Sequence, residues 1–508
     1  MRVFEFGKAA LLFVLLAGAA SPAFSKSISL RIIHTNDIHG WAMSKPDREE
    51  PSRLVGGAAA LANFVKREKA KGAPVLFVDG GDWFVGTPEG TITRGKMMVE
   101  TFNALGYDAT VIGNHEYDFG EDTVKDLVSQ LKTSVLGTNI IKKSSGKIVD
   151  YARPYLIKEV SGVKIGVFGL TTSKMPKLNF PKNIAGLKFR DEVEAAKDMV
   201  AVLKKKGADV IVLLSHVGFE GGKRHEKLQG DQTIAREVPG IDVIVGGHTH
   251  TPIWKPERVN GAIIVQAWAY LSHAGVVDLE VDPSSKKVLS SSGRLEKLWV
   301  DELGEDKNVS EIVKRYQAEV GKELDEVIGS SEQELVRSYK EEDQVGRWMT
   351  DCMRKWSKTD VAIQNGGGIR ANIPKGPIAL RNMFEVMPFM NFVVSVNMTG
   401  KDVLALFDRG VSGEIGMIEI SGARFEYDST APAGKRIKNA WIGGERLDPE
   451  KYYSLSVPDF ITEGGDDYDF SRATDKAEHP TLIRDLLTWC VINNSPIVGS
   501  PMSRMVQK

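Results

Sequence analysis

Carboxylates, imidazoles and an amide recur in this sequence where a short apolar run gives way to glycine or polar residues. Asp37 and His39 follow the first such run, Asp82 the second, Asn114 and His115 the third, His216 the fifth, and His248 with His250 the sixth. One histidine or aspartate in such a place is usually a hydrogen-bonded turn residue. Five of the nine histidines at these junctions make a shared task the better explanation. Oxygen and imidazole donors suit borderline divalent ions such as Zn²⁺ and Mn²⁺, and the lack of nearby cysteine argues for a catalytic rather than a structural metal. Two ions roughly 3.5–4 Å apart need a bridging carboxylate, and such a pair clamps phosphoryl oxygens and generates a hydroxide nucleophile near neutral pH. Asp82 is the natural bridge. Gly80 and Gly81 before it, and Gly246 and Gly247 before the histidine pair, permit the turns that bring backbone close.

Five stretches carry a resemblance: Thr35, Asn36, Asp37, Ile38, His39, Gly40; Gly80, Gly81, Asp82; Gly113 to Asp118 with Asn114, His115, Glu116 and Tyr117 between; Ser215, His216; and Gly247, His248, Thr249, His250. They resemble the calcineurin-type metallophosphoesterase motifs, in the wording of the bacterial periplasmic 5′-nucleotidase and UDP-sugar hydrolase family. The resemblance implies two divalent metal ions, zinc or manganese. It places Asp37, His39, Asp82 and His250 around one, and Asp82, Asn114, His216 and His248 around the other. It also implies that His115 and Asp118 form a catalytic dyad, in which a cationic imidazole stabilises phosphoryl charge while a metal-bridged hydroxide attacks phosphorus in line.

The second half carries Asn365, Gly366, Gly367, Gly368, Ile369, Arg370, then Met387, Pro388, Phe389, Met390, Asn391, then Asp459 to Asp466. These resemble the substrate-binding domain of the same family. By that likeness Arg370 pairs with phosphate, for which a guanidinium fork is suited. Phe460 stacks on a base, Asp466 accepts a hydrogen bond from the nucleoside, and Asn391 belongs to the pocket. The family pattern also leads us to expect a second ring just before Ile418, where this chain has Met417. Arg409 and Arg424 are candidates for further phosphate contacts. The expected activity is hydrolysis of phosphate esters of small nucleotides. A 2′,3′-cyclic-nucleotide phosphodiesterase or a UDP-sugar hydrolase would share the metal site, and related exported enzymes act on sulfur compounds. A protein that only bound metal and nucleotide would not need His115 and Asp118.

The elements that must hold these side chains are legible in outline. Segments 30–34, 75–79, 109–112, 164–170, 210–215 and 243–245 look like buried strands, and 57–71, 122–131 and 192–206 like helices between them. Alternation of this kind argues for a layered α/β domain whose strand ends gather on one rim. The charged helical segment 306–325 looks like a connector to a second α/β domain. The expected division is a signal peptide at 1–25, a metallophosphoesterase domain at 26–300, a helical linker at 301–326 and a substrate-binding domain at 327–508. Substrate bound by one domain must reach metals in the other, so the connector should allow closure.

At 508 residues the chain is long enough for two cores. Its 66 basic and 67 acidic side chains nearly cancel, so no general attraction to a nucleic acid polymer or an anionic membrane is expected. Arg2 and Lys8, the apolar run 9–20, and small Ala23 and Ser25 read as a cleavable export signal, too short to span a bilayer. The expected location is periplasmic or secreted, without stable membrane insertion after cleavage. Only Cys352 and Cys490 are present, so no disulfide framework holds the fold, and whether the two pair is open.

Overall fold

The computed structural model describes residues 27–47, 49–220, 229–500 and 502–508, so the segment read as an export signal lies outside them. The first domain is a four-layer α/β/β/α stack built on two six-stranded sheets. One runs Val288–Lys297, His273–Val281, Ile28–Thr35, Val75–Asp79, Ala109–Val111, Ser134–Leu136, and its last four strands are parallel. The other runs Glu257–Val259, Ala262–Val265, Val243–Gly246, Val210–His216, Val163–Thr171, Tyr155–Val160, and its central four are parallel.

Alternation along the strands explains why each reads as a continuous apolar run. On Val210–His216, Val210, Val212 and Leu214 pack between the two sheets, while Ile211 and Leu213 turn outward against helices Glu192–Lys205 and Asp231–Glu237. Both faces are covered, so neither tolerates polarity. Each such side chain contributes about 1.5–3 kcal/mol on burial. The helices are fitted to their places. Glu192–Lys205 begins at Asp191, whose side chain accepts the Glu194 N–H at 3.0 Å, and ends in Lys204 and Lys205, which complement the helix dipole.

A five-stranded sheet organises the second domain, in the order Glu419–Ser421, Val361–Gln364, Tyr452–Pro458, Phe392–Thr399, Thr474–Leu482. Helices Gln344–Ser357 and Ile483–Asn494 pack in one apolar cluster and Gly400–Gly410 in the other. Cys352 and Cys490 join the first two of these helices in a disulfide across 138 residues. The helix between the domains, Lys307–Leu324, is less independent than its charge suggests. Val309, Val313 and Tyr316 are buried in the core of the first domain, and its N-terminus is capped by Asp306 accepting from the Val309 N–H at 3.0 Å. Among the described residues no helix is long and apolar enough to cross a membrane.

Candidate active site

Every parallel strand of the first domain ends at the same rim, and the side chains singled out above leave from those ends. Five of them sit in backbone that L-residues rarely adopt: Asp37, His39, Asp82, His248 and His250 have φ between 50° and 72°. Such a conformation costs roughly 1–2 kcal/mol per residue. A ladder of main-chain bonds between the two loops holds it: Asp37 N–H donates to Gly81 O, His39 N–H to Asp82 O and Gly40 N–H to Trp83 O, at 2.8–2.9 Å. Gly113 is required beside them, because a Cβ there would lie 2.3 Å from Asp82 Oδ1.

The seven predicted ligands converge. Asp37, His39 and His250 present donor atoms within 4.8 Å of one another, as do Asp37, Asp82 and His216. Asp82 Oδ2 is 3.7 Å from His39 Nε2 and 3.1 Å from His216 Nε2, so this carboxylate spans both groups. Asn114 Oδ1 lies 3.1 Å from His216 Nε2 and 2.9 Å from His248 Nδ1. Asp37, His39, Asp82, Asn114 and His216 are buried, and Asp82, Asn114, His248 and His250 line the cleft.

The electrostatics fit divalent cations. Nδ1 of His39 faces the Val85 carbonyl at 2.6 Å and Nδ1 of His216 the Gly80 carbonyl at 2.7 Å. Each Nδ1–H is thereby fixed as a donor and each Nε2 lone pair points inward, as a metal ligand requires. His39 Nε2 meets His250 Nε2 at 3.0 Å, while burial holds the His39 imidazole down to about 3. Burial pushes Asp37 up to about 7, with Asp82 adding to the push and His216 opposing it. Burial opposes charge on the His216 imidazole, but Asp82 and Asp37 push it up to about 10, so two buried carboxylates create a strongly negative pocket that favours positive charge, and oxygen and nitrogen donors suit a hard or borderline ion.

His115 Nδ1 bonds Asp118 Oδ2 at 2.8 Å, and the His115 N–H donates to Asp82 Oδ1 at 2.9 Å. Burial works against charge on this imidazole, but Asp118 and Asp82 outweigh it and raise it to about 9. Asp118 and Asp82 thus favour the charged form of this imidazole.

Across a cleft of about 1130 Å³ stand the second-domain residues. Arg370 reaches over, its Nη2 donating to Tyr270 OH at 3.5 Å, and its guanidinium lies 5.6 Å from the Phe389 ring. Phe460 and Asp466 line the same space, with Asp466 Oδ2 accepting from Asn365 Nδ2 at 2.8 Å. Asn391 also lines it, and its amide donates to Asp459 Oδ1 at 3.0 Å.

Several expectations change. Met417, like Phe460, is half-buried against the second domain's apolar cluster, but only Phe460 of the two lines the cleft, where Phe389 and Tyr339 also present rings. Arg409 lines the cleft, but its Nε donates to Asp466 O at 2.9 Å and its Nη1 to Glu414 Oε2 at 2.5 Å, so its guanidinium is engaged by groups of its own domain. Arg424 lies over Trp441, 4.0 Å from the ring centroid, outside the cleft lining. Three contributors had escaped the reading of the sequence. Buried Glu116 accepts from the N–H groups of Asp82, Trp83 and Gly113 at 2.6–3.1 Å and so fixes the two ligand loops together. Arg337 and Tyr339 line the cleft beside Arg370, and burial with the neighbouring Arg370 charge pushes Arg337 down, as expected of two guanidiniums facing one anion site. Only Glu116 carried a signal, standing inside a motif already noticed.

Residues 30–252 match the calcineurin-like phosphoesterase family, and residues 327–472 match the 5′-nucleotidase C-terminal domain. A 5′-nucleotidase of Vibrio cholerae is 30% identical over 91% of this chain and 90% of its own length. The chain belongs to the 5′-nucleotidase family. The crystal structure of a 5′-nucleotidase precursor from Thermus thermophilus superposes with a TM-score of 0.85 at 28% identity, covering 94% of this chain and 99% of that one. The sulfate thiohydrolase SoxB of the same organism shares the fold, with a TM-score of 0.79 at 19% identity, covering 94% of this chain and 96% of that one. As a member of the 5′-nucleotidase family the chain is a metal-dependent phosphoester hydrolase of two α/β domains.

Proposed function

We propose that this enzyme releases phosphate from nucleotides outside the cytoplasm, using two divalent cations, zinc or manganese, held by Asp37, His39, Asp82, Asn114, His216, His248 and His250. The observation that carries the reading is the meeting, in one cleft, of that donor set with the Arg370 guanidinium and two aromatic rings of the other domain. When bound, the cations supply Lewis-acid neutralisation of phosphoryl oxygens and an activated water.

The chain's own residues do the rest. Arg370, with Arg337 behind it, grips the phosphate and keeps its oxygens facing His115. His115, charged and oriented by Asp118, stabilises the negative charge that builds on those oxygens as the ester bond breaks. Phe460 and Phe389 offer π-faces to a base, at about 1–3 kcal/mol per stacked base. Asp466, Asn365 and Asn391 supply polar contacts at the nucleoside end. Export is supported by the signal-like segment 1–25 and by the Cys352–Cys490 disulfide, a bond that persists in oxidising compartments.

The cleft also runs past His250 to Trp268, Ser272 and His273. That space favours, as a second reading, substrates with a group beyond the scissile phosphate, such as UDP-sugars. A panel of AMP, UDP-glucose, 2′,3′-cyclic AMP and sugar phosphates, assayed with the mature protein and each metal in turn, ranks the two. Failure both to release phosphate from any nucleotide and to split UDP-glucose into UMP and sugar phosphate would refute the two readings.

A further inference from the structure

Asp118 is held from three sides. Its Oδ2 takes the His115 Nδ1–H at 2.8 Å. Its Oδ1 accepts from Asn179 Nδ2 at 3.3 Å, and its main-chain oxygen accepts from Asn183 Nδ2 at 2.9 Å. The second Nδ2 proton of Asn179 goes to the main-chain oxygen of Asn114 at 3.1 Å. Both acceptors are oxygens, so turning the amide over would set oxygen against oxygen, and its orientation is fixed. Asn179 is 6% exposed.

The segment bearing these asparagines is anchored at both ends. Met175, in the helix Met175–Leu178, and Ile184, in the turn Pro181–Ile184, are buried in the core of the first domain. In between, Lys177 forms an ion pair with Asp467 of the second domain, next to Asp466. One short segment therefore touches the dyad on one side and the nucleoside-binding turn on the other.

We propose that Asn179 and Asn183 are positioning residues that hold Asp118 against His115, Asn179 by the carboxylate and Asn183 by the main-chain oxygen, within a segment that the second domain engages through Lys177. This rests on the reading that His115 stabilises phosphoryl charge. An unrestrained Asp118 could swing toward solvent, and His115 would then lose its orientation toward the phosphoryl oxygens. Neither asparagine touches substrate phosphate in this role. Both act through Asp118.

A double-mutant cycle on the metal-loaded enzyme tests it, with AMP as substrate. Asn179→Ala is expected to lower kcat about tenfold and Asn183→Ala about threefold, with KM little changed and the bound metal per chain intact. Asn179→Asp keeps the shape but lacks the donor, so it should fall at least as far as Asn179→Ala. In an Asp118→Ala background, which removes the carboxylate that Asn179 holds, Asn179→Ala should not lower kcat further. A further loss from Asn179→Ala in that background, near-normal turnover in Asn179→Asp, or loss of metal in both asparagine variants would overturn the proposal. If the wild-type chain released no phosphate from AMP or any other nucleotide, the functional reading would fall first. An additive cycle on an active enzyme removes the positioning role alone.

Discussion

The imidazole of His115 and the ring of Phe389 lie nearly parallel, with centroids 5.4 Å apart and planes inclined by 22°, although they belong to different domains. The Arg370 guanidinium is also within reach of that ring. A second-domain aromatic thus covers the side chain read as the charge stabiliser.

Phe389→Ala should act chiefly on binding. Loss of a stacking surface worth about 1–3 kcal/mol raises KM for nucleotides about tenfold or more, with a smaller change in kcat. Steady-state kinetics on AMP decide the matter, and a collapse of kcat at unaltered KM would assign the ring to His115 instead of to the base.

His115→Ala should lower kcat by about 10²–10³, the range for removing a preorganised charge stabiliser. Metal content measured on the purified variant should stay at the wild-type level, because the described ligand set does not use its ring. Near-normal turnover would end the assignment.

Glu419 gives a pH-dependent stability. It is buried, its Oε1 accepts the Asp343 N–H at 3.0 Å, and its Oε2 has no hydrogen-bond partner. Burial, reinforced by the Asp343 charge, pushes its carboxyl well above the ordinary value of 4.5. The folded protein then keeps a proton that the unfolded chain releases above 4.5, so stability falls as pH rises from there toward the folded value. Glu419→Gln mimics the protonated form and should flatten the decline in melting temperature as pH rises above about 5. An unchanged slope would place the ionisation elsewhere.

Replacing Cys352 and Cys490 together by serine should destabilise the second domain by about 2–5 kcal/mol. Chemical denaturation monitored on both domains should show the loss in the transition of the second domain, with the phosphoesterase domain unmoved.

The two halves of the site were not equally legible. Ligands at strand ends announce themselves because parallel strands deliver their successors to one rim, so Asp37, Asp82 and His248 need only local sequence to be noticed. Phe389 was in view, inside a quoted motif, yet nothing local says whether a ring after Pro388 faces a core or a cleft. Arg337 and Tyr339 have no spacing signal at all, and only the tertiary approach of two guanidiniums reveals them. Lys307–Leu324 looked like a free connector because its charges dominate. The apolar residues Val309, Ile312, Val313 and Tyr316, at helical spacing, carried the contrary message that it beds into the first domain.

The Cys352–Cys490 bond lies wholly within one lobe and the cation-binding cluster wholly within the other. A chelator and a thiol reductant should consequently disarm the enzyme by separate routes. Stripping the cations should abolish turnover with the disulfide intact, whereas reduction should loosen the packing of helices Gln344–Ser357 and Ile483–Asn494 and leave the predicted ligand cluster assembled.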